Sequence, residues 1–414
     1  MSTLTQMVEW TQPKSFASRI QRLGTEAAFH VAAQSMEWAT KGFEIYPFHL
    51  GDLNFSTPQN IVEAAVRSLY DGKTGYSPVE GILPLREALA EEIGLKRDVY
   101  YTPSNVSVQP GGKPIVGKFL QAVMQEGDEV LYPNPGYPIY ESQIEYYGGI
   151  AVPYKYIQSD SGFILDLDLI EQMITDKTKI LIYNNHNNPF GSDSSEHEMA
   201  ALAEIAMKYN LWILSDEAYF DVTYDTPARS IVSIPGMRER TVILYTASKK
   251  YAMTGWRVGA AIGPEPLIQI INKLNANVEA CTAQFSQWAL LEALKGDQEG
   301  CKNILKELKM RRNKAVQCLN NIKGIQISHP NSTFYLFVDI TEIMKRKGIT
   351  NLEELRTKAL EKTGVSFCIR EHFGRSDHNH NEYYIRLAYG GIDLNKIEEG
   401  LYKLKDFFED TYMH

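Results

Sequence analysis

KILIYNN (179–185), EHEMAALAEIAMKYN (196–210) and LWILSDE (211–217) are the stretches that decide the fold of this chain. The first and last are short apolar runs that end in polar or turn residues, as buried strands do. Between them Met199, Leu202 and Ile205 recur at helical spacing and give one apolar stripe. VSVQPGG (106–112), DEVLYPNPG (128–136) and TVILYTAS (241–248) repeat the strand pattern. Strand, helix and strand in repetition predict an α/β fold with a mainly parallel sheet covered by helices. Ligands of such sheets sit beyond the carboxyl ends of the strands, and the unusual residues here cluster there.

From about residue 300 the pattern changes. CKNILKELKMRRNKAVQCLNNI (301–322) reads as one long helix. TFYLFVDI (333–340), NLEELRTKALEKTG (351–364) and EYYIRLAY (382–389) follow as strand, helix and strand. The expected organisation is an N-terminal segment, 1–58, joining a small C-terminal α+β domain, 301–414, with a large domain over 59–300 between them.

The chain has 414 residues, 44% of them hydrophobic, enough for a sizeable core. A net charge of −9 argues against nucleic acid as a partner. Cys281, Cys301, Cys318 and Cys368 lie far apart with no CxxC pair, which reads as reduced thiols and no zinc site. The start, MSTLTQMVEWTQPK, has no apolar run after a basic segment, and no apolar run is long enough to span a membrane. A cytoplasmic protein is expected.

SKKYAMTGWR (248–257) brings a hydroxyl, two amines and a guanidinium to one strand end. Two adjacent lysines alone read as solvated surface. A lysine beside a buried strand end, with its cation disfavoured, can instead attack a carbonyl. Together with Ser248 and Arg257 the set suits a small molecule carrying a phosphate and an aldehyde. The glycines of QPGGK (109–113) let backbone N–H groups approach an anion at a helix start. No Walker spacing follows, and no G-x-G-x-x-G opens a dinucleotide site.

SKKYAMTGWRVG (248–259) resembles the lysine motif of class I aminotransferases, in the fold type I family of pyridoxal-phosphate (PLP) enzymes. LGTEAAF (23–29), LGDLNFSTP (50–58), YSPVEGILPLREAL (76–89), PNPGYPIY (133–140), NNHNNPFG (184–191), SDEAY (215–219) and IRLAY (385–389) fall in the family's order, from about residue 19 to residue 400. The resemblance implies a large domain with a seven-stranded-type sheet and a smaller α+β domain. It implies an aminotransferase that moves an amino group from an L-amino acid to a 2-oxo acid through an aldimine of PLP on Lys249. Lys250 falls where the family varies and reads as structural or solvent-facing.

The remaining roles also come from the resemblance. Asp216 would hold the pyridine nitrogen protonated. Tyr219 and Asn188 would contact the ring hydroxyl, and Tyr137 would stack on the ring. Arg257, Thr246, Ser248, Gly111, Gly112 and Lys113 would surround the phosphate. Tyr76 would reach the phosphate of the neighbouring subunit, which needs a homodimer. Arg386 would pair with the substrate α-carboxylate, with Asn188 and the Gly51 backbone beside it. A PLP-dependent lyase or decarboxylase on the same fold shares every cofactor residue and stays open at this point. A DNA-binding regulator on this fold and a nicotinamide enzyme fit less well, since only about 20 residues precede the first family match and the glycine fingerprint is missing.

The chain also departs from the family. His186 stands where proline is common, and Phe190 where the family reads N-P-T-G. Ile369-Arg370 replaces a frequent Pro-Gly, and a glycine is common near Ser332. Arg370 reads as a surface residue, with a second anion grip as the alternative. In the aspartate branch a lysine at GGK helps hold a distal carboxylate, as Lys113 could. Glu26 stands where that branch places a hydroxyl, and would repel such a group or pair with Lys113. His372, His378 and His380 lie in a polar loop without regular spacing, and no metal site is expected.

Overall fold

The computed structural model describes residues 15–24, 27–159, 162–327, 329–375 and 382–410. The N-terminal stretch 1–14 scanned for a leader, and Thr25, Glu26, His378 and His380, lie outside the described residues. Seven strands form the central sheet, in spatial order Val106–Gln109, Gly259–Ile262, Thr241–Thr246, Trp212–Asp216, Thr178–Asn184, Glu129–Pro133 and Ile150–Tyr154. All are parallel except Gly259–Ile262, which runs antiparallel between its two neighbours. The strands at 150–154 and 259–262 were not picked out from sequence: Pro153 and half-exposed side chains interrupt the first, and the second, GAAI, has small residues in place of a bulky apolar run.

Near-continuous apolar strands follow from burial on both faces. Leu131, Leu181, Ile213 and Ile243 point into one core, with Leu85, Leu89, Leu202 and Leu290 from covering helices. Their chain neighbours Val130, Ile180, Leu214 and Val242 point into the other, with Phe119, Ile144 and Ile268. The helix Glu196–Lys208 buries Met199, Leu202 and Ile205, the stripe read from sequence. Its start is set by Ser195 and Glu198, which exchange side-chain-to-backbone hydrogen bonds at 3.1 and 2.9 Å.

A third core gathers Tyr46 and Phe48 with Leu308, Val316, Leu336, Leu355, Leu387 and Leu404. Its sheet has the order Tyr335–Asp339, Tyr384–Ala388, Cys368–Ile369. Tyr46–Pro47 pairs in parallel with Val365–Ser366, so early residues are stitched to late ones. Among the described residues, no helix is long and apolar enough to cross a membrane, and no group of three metal-ligating side chains forms.

Candidate active site

The carboxyl ends of the parallel strands open onto a cavity of about 560 Å³. Gly51, Gly112, Lys113, Tyr137, Asn188, Asp216, Tyr219, Thr246, Ser248, Lys249, Arg257 and Arg386 line it. Gly111 lies just behind Arg257. Tyr76 is not in the wall; it is 88% exposed on the surface.

Lys249 follows the strand Thr241–Thr246. Its Nζ donates to the Gly51 carbonyl at 2.7 Å and lies 5.8 Å from the Tyr219 ring centre and 5.6 Å from that of Phe334. Lys250 instead reaches Glu92 at 3.5 Å and Asp221 at 3.9 Å. It is half-buried in an ion-pair network, so of the two readings of this residue the structural one holds and the solvent-facing one does not.

Asp216 ends the strand Trp212–Asp216 and is buried. Tyr140 Oη donates to its Oδ2 at 2.5 Å and the Ala218 N–H to its Oδ1 at 3.1 Å. Burial outweighs these bonds and pushes its carboxyl up to about 6. A nearby cationic N–H would restore the charge, so the pocket is built for a positive partner.

The opposite end carries donors. Gly112 caps the helix Lys113–Val123, whose first N–H groups and dipole favour an anion. Thr246 Oγ1 and Ser248 Oγ stand 2.8 Å apart. Arg257 is held by its Nη1 bond to the Thr254 carbonyl at 2.7 Å. Gly111 has φ +94°, and a Cβ on it would lie 2.3 Å from Arg257 Nη2, so only glycine lets the guanidinium sit there. Tyr137 meets Tyr140 edge-on at 5.6 Å, and Lys113 Nζ lies 6.0 Å from the Tyr137 ring centre.

Arg386 is 3% exposed. Nη1 donates to Asn188 Oδ1 at 3.0 Å and Nη2 to the His49 carbonyl at 2.7 Å. The rings of Tyr335 and Phe373 stand 4.3 and 4.6 Å from its guanidinium carbon, and its buried Nε has no hydrogen-bond partner among the described residues. A fork fixed this way, with a donor to spare, suits a carboxylate.

Several wall residues were missed from sequence. Tyr140 lies three residues after Tyr137 in PNPGYPIY, a helical spacing that could have found it. Tyr335 was read only as part of a strand; its hydroxyl shares a 2.5 Å hydrogen bond with Tyr219. His372 and Phe373 also line the wall, and burial lowers His372 to about 4, leaving it neutral at pH 7. Arg370 is half-buried, not on the surface as expected, and donates to Asn134 Oδ1 at 3.1 Å.

The Gly51 site gives a sharp expectation. A Cβ there would lie 2.2 Å from Tyr335 Oη. Gly51→Ala should displace that hydroxyl from Tyr219 and raise KM for the ligand of the cavity about tenfold, with stability falling by about 1–3 kcal/mol. Steady-state kinetics and thermal melting of the variant check both.

The family model for aminotransferase class I and II matches residues 45–404. A probable aspartate/prephenate aminotransferase of Aquifex aeolicus is 32% identical over 96% of this chain and 99% of its own length. An aspartate aminotransferase of Bacillus subtilis is 29% identical over 95% of this chain and 98% of its own. Among solved structures, Thermus thermophilus aspartate aminotransferase with maleate superposes with a TM-score of 0.87 at 28% identity, covering 95% of this chain and 99% of that one. N-succinyldiaminopimelate aminotransferase of Mycobacterium tuberculosis gives 0.87 at 25% identity, over 94% and 99%. Given the strand-end cavity with its lysine, its buried aspartate and its anion-binding end, the chain belongs to the class I and II aminotransferases and is a PLP-dependent transaminase of fold type I, acting on amino acids and 2-oxo acids.

Proposed function

We propose that the amino donor is an acidic amino acid, and that the residues around the cavity divide the work as follows. The observation that carries the substrate reading is the presence of two cations, Arg386 and Lys113, in one wall. Relatives named as aspartate or aspartate/prephenate aminotransferases support it. Arg386 takes the α-carboxylate, and Lys113 attracts the distal one.

The residues fit the cofactor. The glycine cradle at Gly111 and Gly112, the hydroxyls of Thr246 and Ser248 and the Arg257 guanidinium would hold its phosphate. Buried Asp216, raised by burial and already given two hydrogen bonds, would pair with its ring nitrogen, while Tyr219 and Asn188 would contact the ring hydroxyl and Tyr137 would stack on the ring. PLP, when bound, supplies an aldehyde that takes the amine covalently and a ring that withdraws electrons. Lys249 provides the amine that anchors it. Once displaced, Lys249 Nζ takes the substrate α-proton and later gives a proton back, base and then acid. Arg386 and Asn188 orient the carboxylate so that this proton faces Lys249.

The same reading includes a homodimer in which Tyr76 reaches the partner's phosphate end; its exposure on this chain supports that. It keeps the division into 1–58, 59–300 and 301–414, supported by the pairing of Tyr46–Pro47 with Val365–Ser366. Four free cysteines support a reducing, cytoplasmic setting.

The test is an absorbance scan of PLP-loaded protein during addition of single amino acids with no 2-oxo acid present. Aspartate or glutamate should convert the bound-cofactor band to that of its amine form. Conversion only by neutral amino acids would overturn the acidic-donor reading.

A further inference from the structure

Two departures from the family pattern, His186 and Ser332, lie 146 positions apart in sequence. The fold brings them to one junction outside the cavity. One side is the loop that follows the strand Thr178–Asn184. The other is the loop leading into the strand Tyr335–Asp339.

His186 is buried, and its Nδ1 lies 2.6 Å from Asp193 Oδ1. The carboxylate accepts, so the proton sits on Nδ1. The second oxygen, Asp193 Oδ2, accepts from Asn331 Nδ2 at 2.5 Å. Asn331 is held from behind, since its Oδ1 accepts from the Asp225 and Thr226 amides at 2.8 and 2.9 Å. Next to it, fully buried Ser332 donates from Oγ to the Gly191 carbonyl at 3.1 Å. Burial pushes the Asp193 carboxyl up, but its bonds to His186 and Asn331 prevail and hold it below its ordinary value, so it stays charged.

Each loop also delivers a side chain to Arg386. The first supplies Asn188, whose Oδ1 accepts from Nη1, and whose own N–H is fixed to Asn184 Oδ1 at 2.9 Å. The second supplies Tyr335, with its ring 4.3 Å from the guanidinium. The guanidinium thus sits between two loops that the side-chain chain ties together.

We propose that His186, Asp193 and Asn331 are positioning residues: their hydrogen-bonded chain sets the spacing of Asn188 and Tyr335 about Arg386, and through it the affinity for the substrate carboxylate. The proposal rests on the reading of Arg386 as the carboxylate grip. None of the three touches the substrate. The buried cost of breaking the chain falls on geometry at Arg386, so carboxylate binding suffers more than the chemical step, which feels only the changed tilt of the bound carboxylate.

The test uses three near-isosteric variants of the PLP-loaded enzyme. Asn331→Asp sets two carboxylates face to face. Asp193→Asn sets two amides face to face. The double variant restores one amide–carboxylate contact with its direction reversed, and still offers an oxygen to His186. Binding of maleate, a dicarboxylate with no amino group, is read by difference absorbance, beside KM and kcat for the amino acid.

Each single variant should weaken maleate and raise KM about tenfold with a smaller fall in kcat. The double variant should recover a large part of that loss, short of the parent because the Asn331 Nδ2 bond to Thr226 Oγ1 is not remade. Single variants that leave maleate binding unchanged, or a double variant with the summed loss of both, overturn the proposal. If a single variant fails to load PLP, Asn331→Ala replaces it, with the same expected loss of affinity. Arg386→Lys is measured alongside. Weakened maleate in Arg386→Lys with no effect at the junction defeats the positioning chain alone. Unchanged maleate in Arg386→Lys defeats the carboxylate grip and the proposal with it.

Discussion

Lys249→Ala should leave a folded protein that transaminates about 10⁴-fold more slowly. The variant loses the side-chain amine that stands by the Tyr219 and Phe334 rings and reaches the Gly51 carbonyl. On the proposed reading it removes the covalent anchor and the proton carrier together, so the loss should exceed that of any binding residue. Lys250→Ala should keep activity within about tenfold, because Lys250 faces Glu92 and Asp221, away from Gly51. Borohydride reduction followed by mass spectrometry adds a readout independent of turnover. The cofactor's mass should stay on the parent and on Lys250→Ala, and be absent from Lys249→Ala. The reverse pattern would show that the wrong lysine has been assigned.

Asp216→Asn is the second large effect, and it acts in opposite directions on activity and stability. Without a carboxylate the ring nitrogen has no anion to hold its proton, and kcat should fall about 10³-fold. A fall of less than tenfold would remove Asp216 from the mechanism. In the cofactor-free protein the same carboxylate is a burden. Its folded pKa, about 6, lies above the ordinary 3.8, because burial disfavours the charge. The native state therefore binds the proton more tightly than the unfolded chain. Stability from this group is present below about pH 4 and is lost as pH rises through about pH 6. Two units correspond to about 2–3 kcal/mol. Asp216→Asn should thus melt at a higher Tm than the cofactor-free parent at about pH 8, and show no such gain at about pH 4. Melting curves of both proteins at the two pH values check the sign. Loading PLP should shrink the gap, since a cationic ring nitrogen offsets the buried charge.

How far the sequence could be read depends on the range of the forces involved. The strands 178–184, 212–216 and 241–246 were plain because a strand buried on both faces carries a near-continuous apolar run, here ILIY, WIL and VILY. Ile150–Tyr154 was not, because Pro153 and half-exposed side chains break that pattern. The Gly111–Gly112 turn and the Asp216 strand end are local features, readable within a few residues. Tyr140 acts on Asp216 from 76 positions away; its helical spacing from Tyr137 could place it on the same wall, but not name Asp216 as its partner.

Lys250 illustrates the same limit. Its neighbours in sequence are those of Lys249, and only the path of the chain after Ser248 turns one amine toward Gly51 and the other toward Glu92 and Asp221. Arg370 looked like surface for the same reason, because its partner Asn134 is 236 positions distant.

By itself, the sequence determined the α/β layering, five of the seven central strands, and the set of residue types suited to an aldehyde, a phosphate and a carboxylate. These follow from periodicity and from short motifs, where cause and effect lie within one element. Tertiary structure alone decided which of these groups share a cavity, how far burial raises Asp216, and how Asn188 and Tyr335 flank Arg386. Those properties depend on distance and desolvation between segments far apart in the chain, and both exist only once the sheet has closed and water has been excluded.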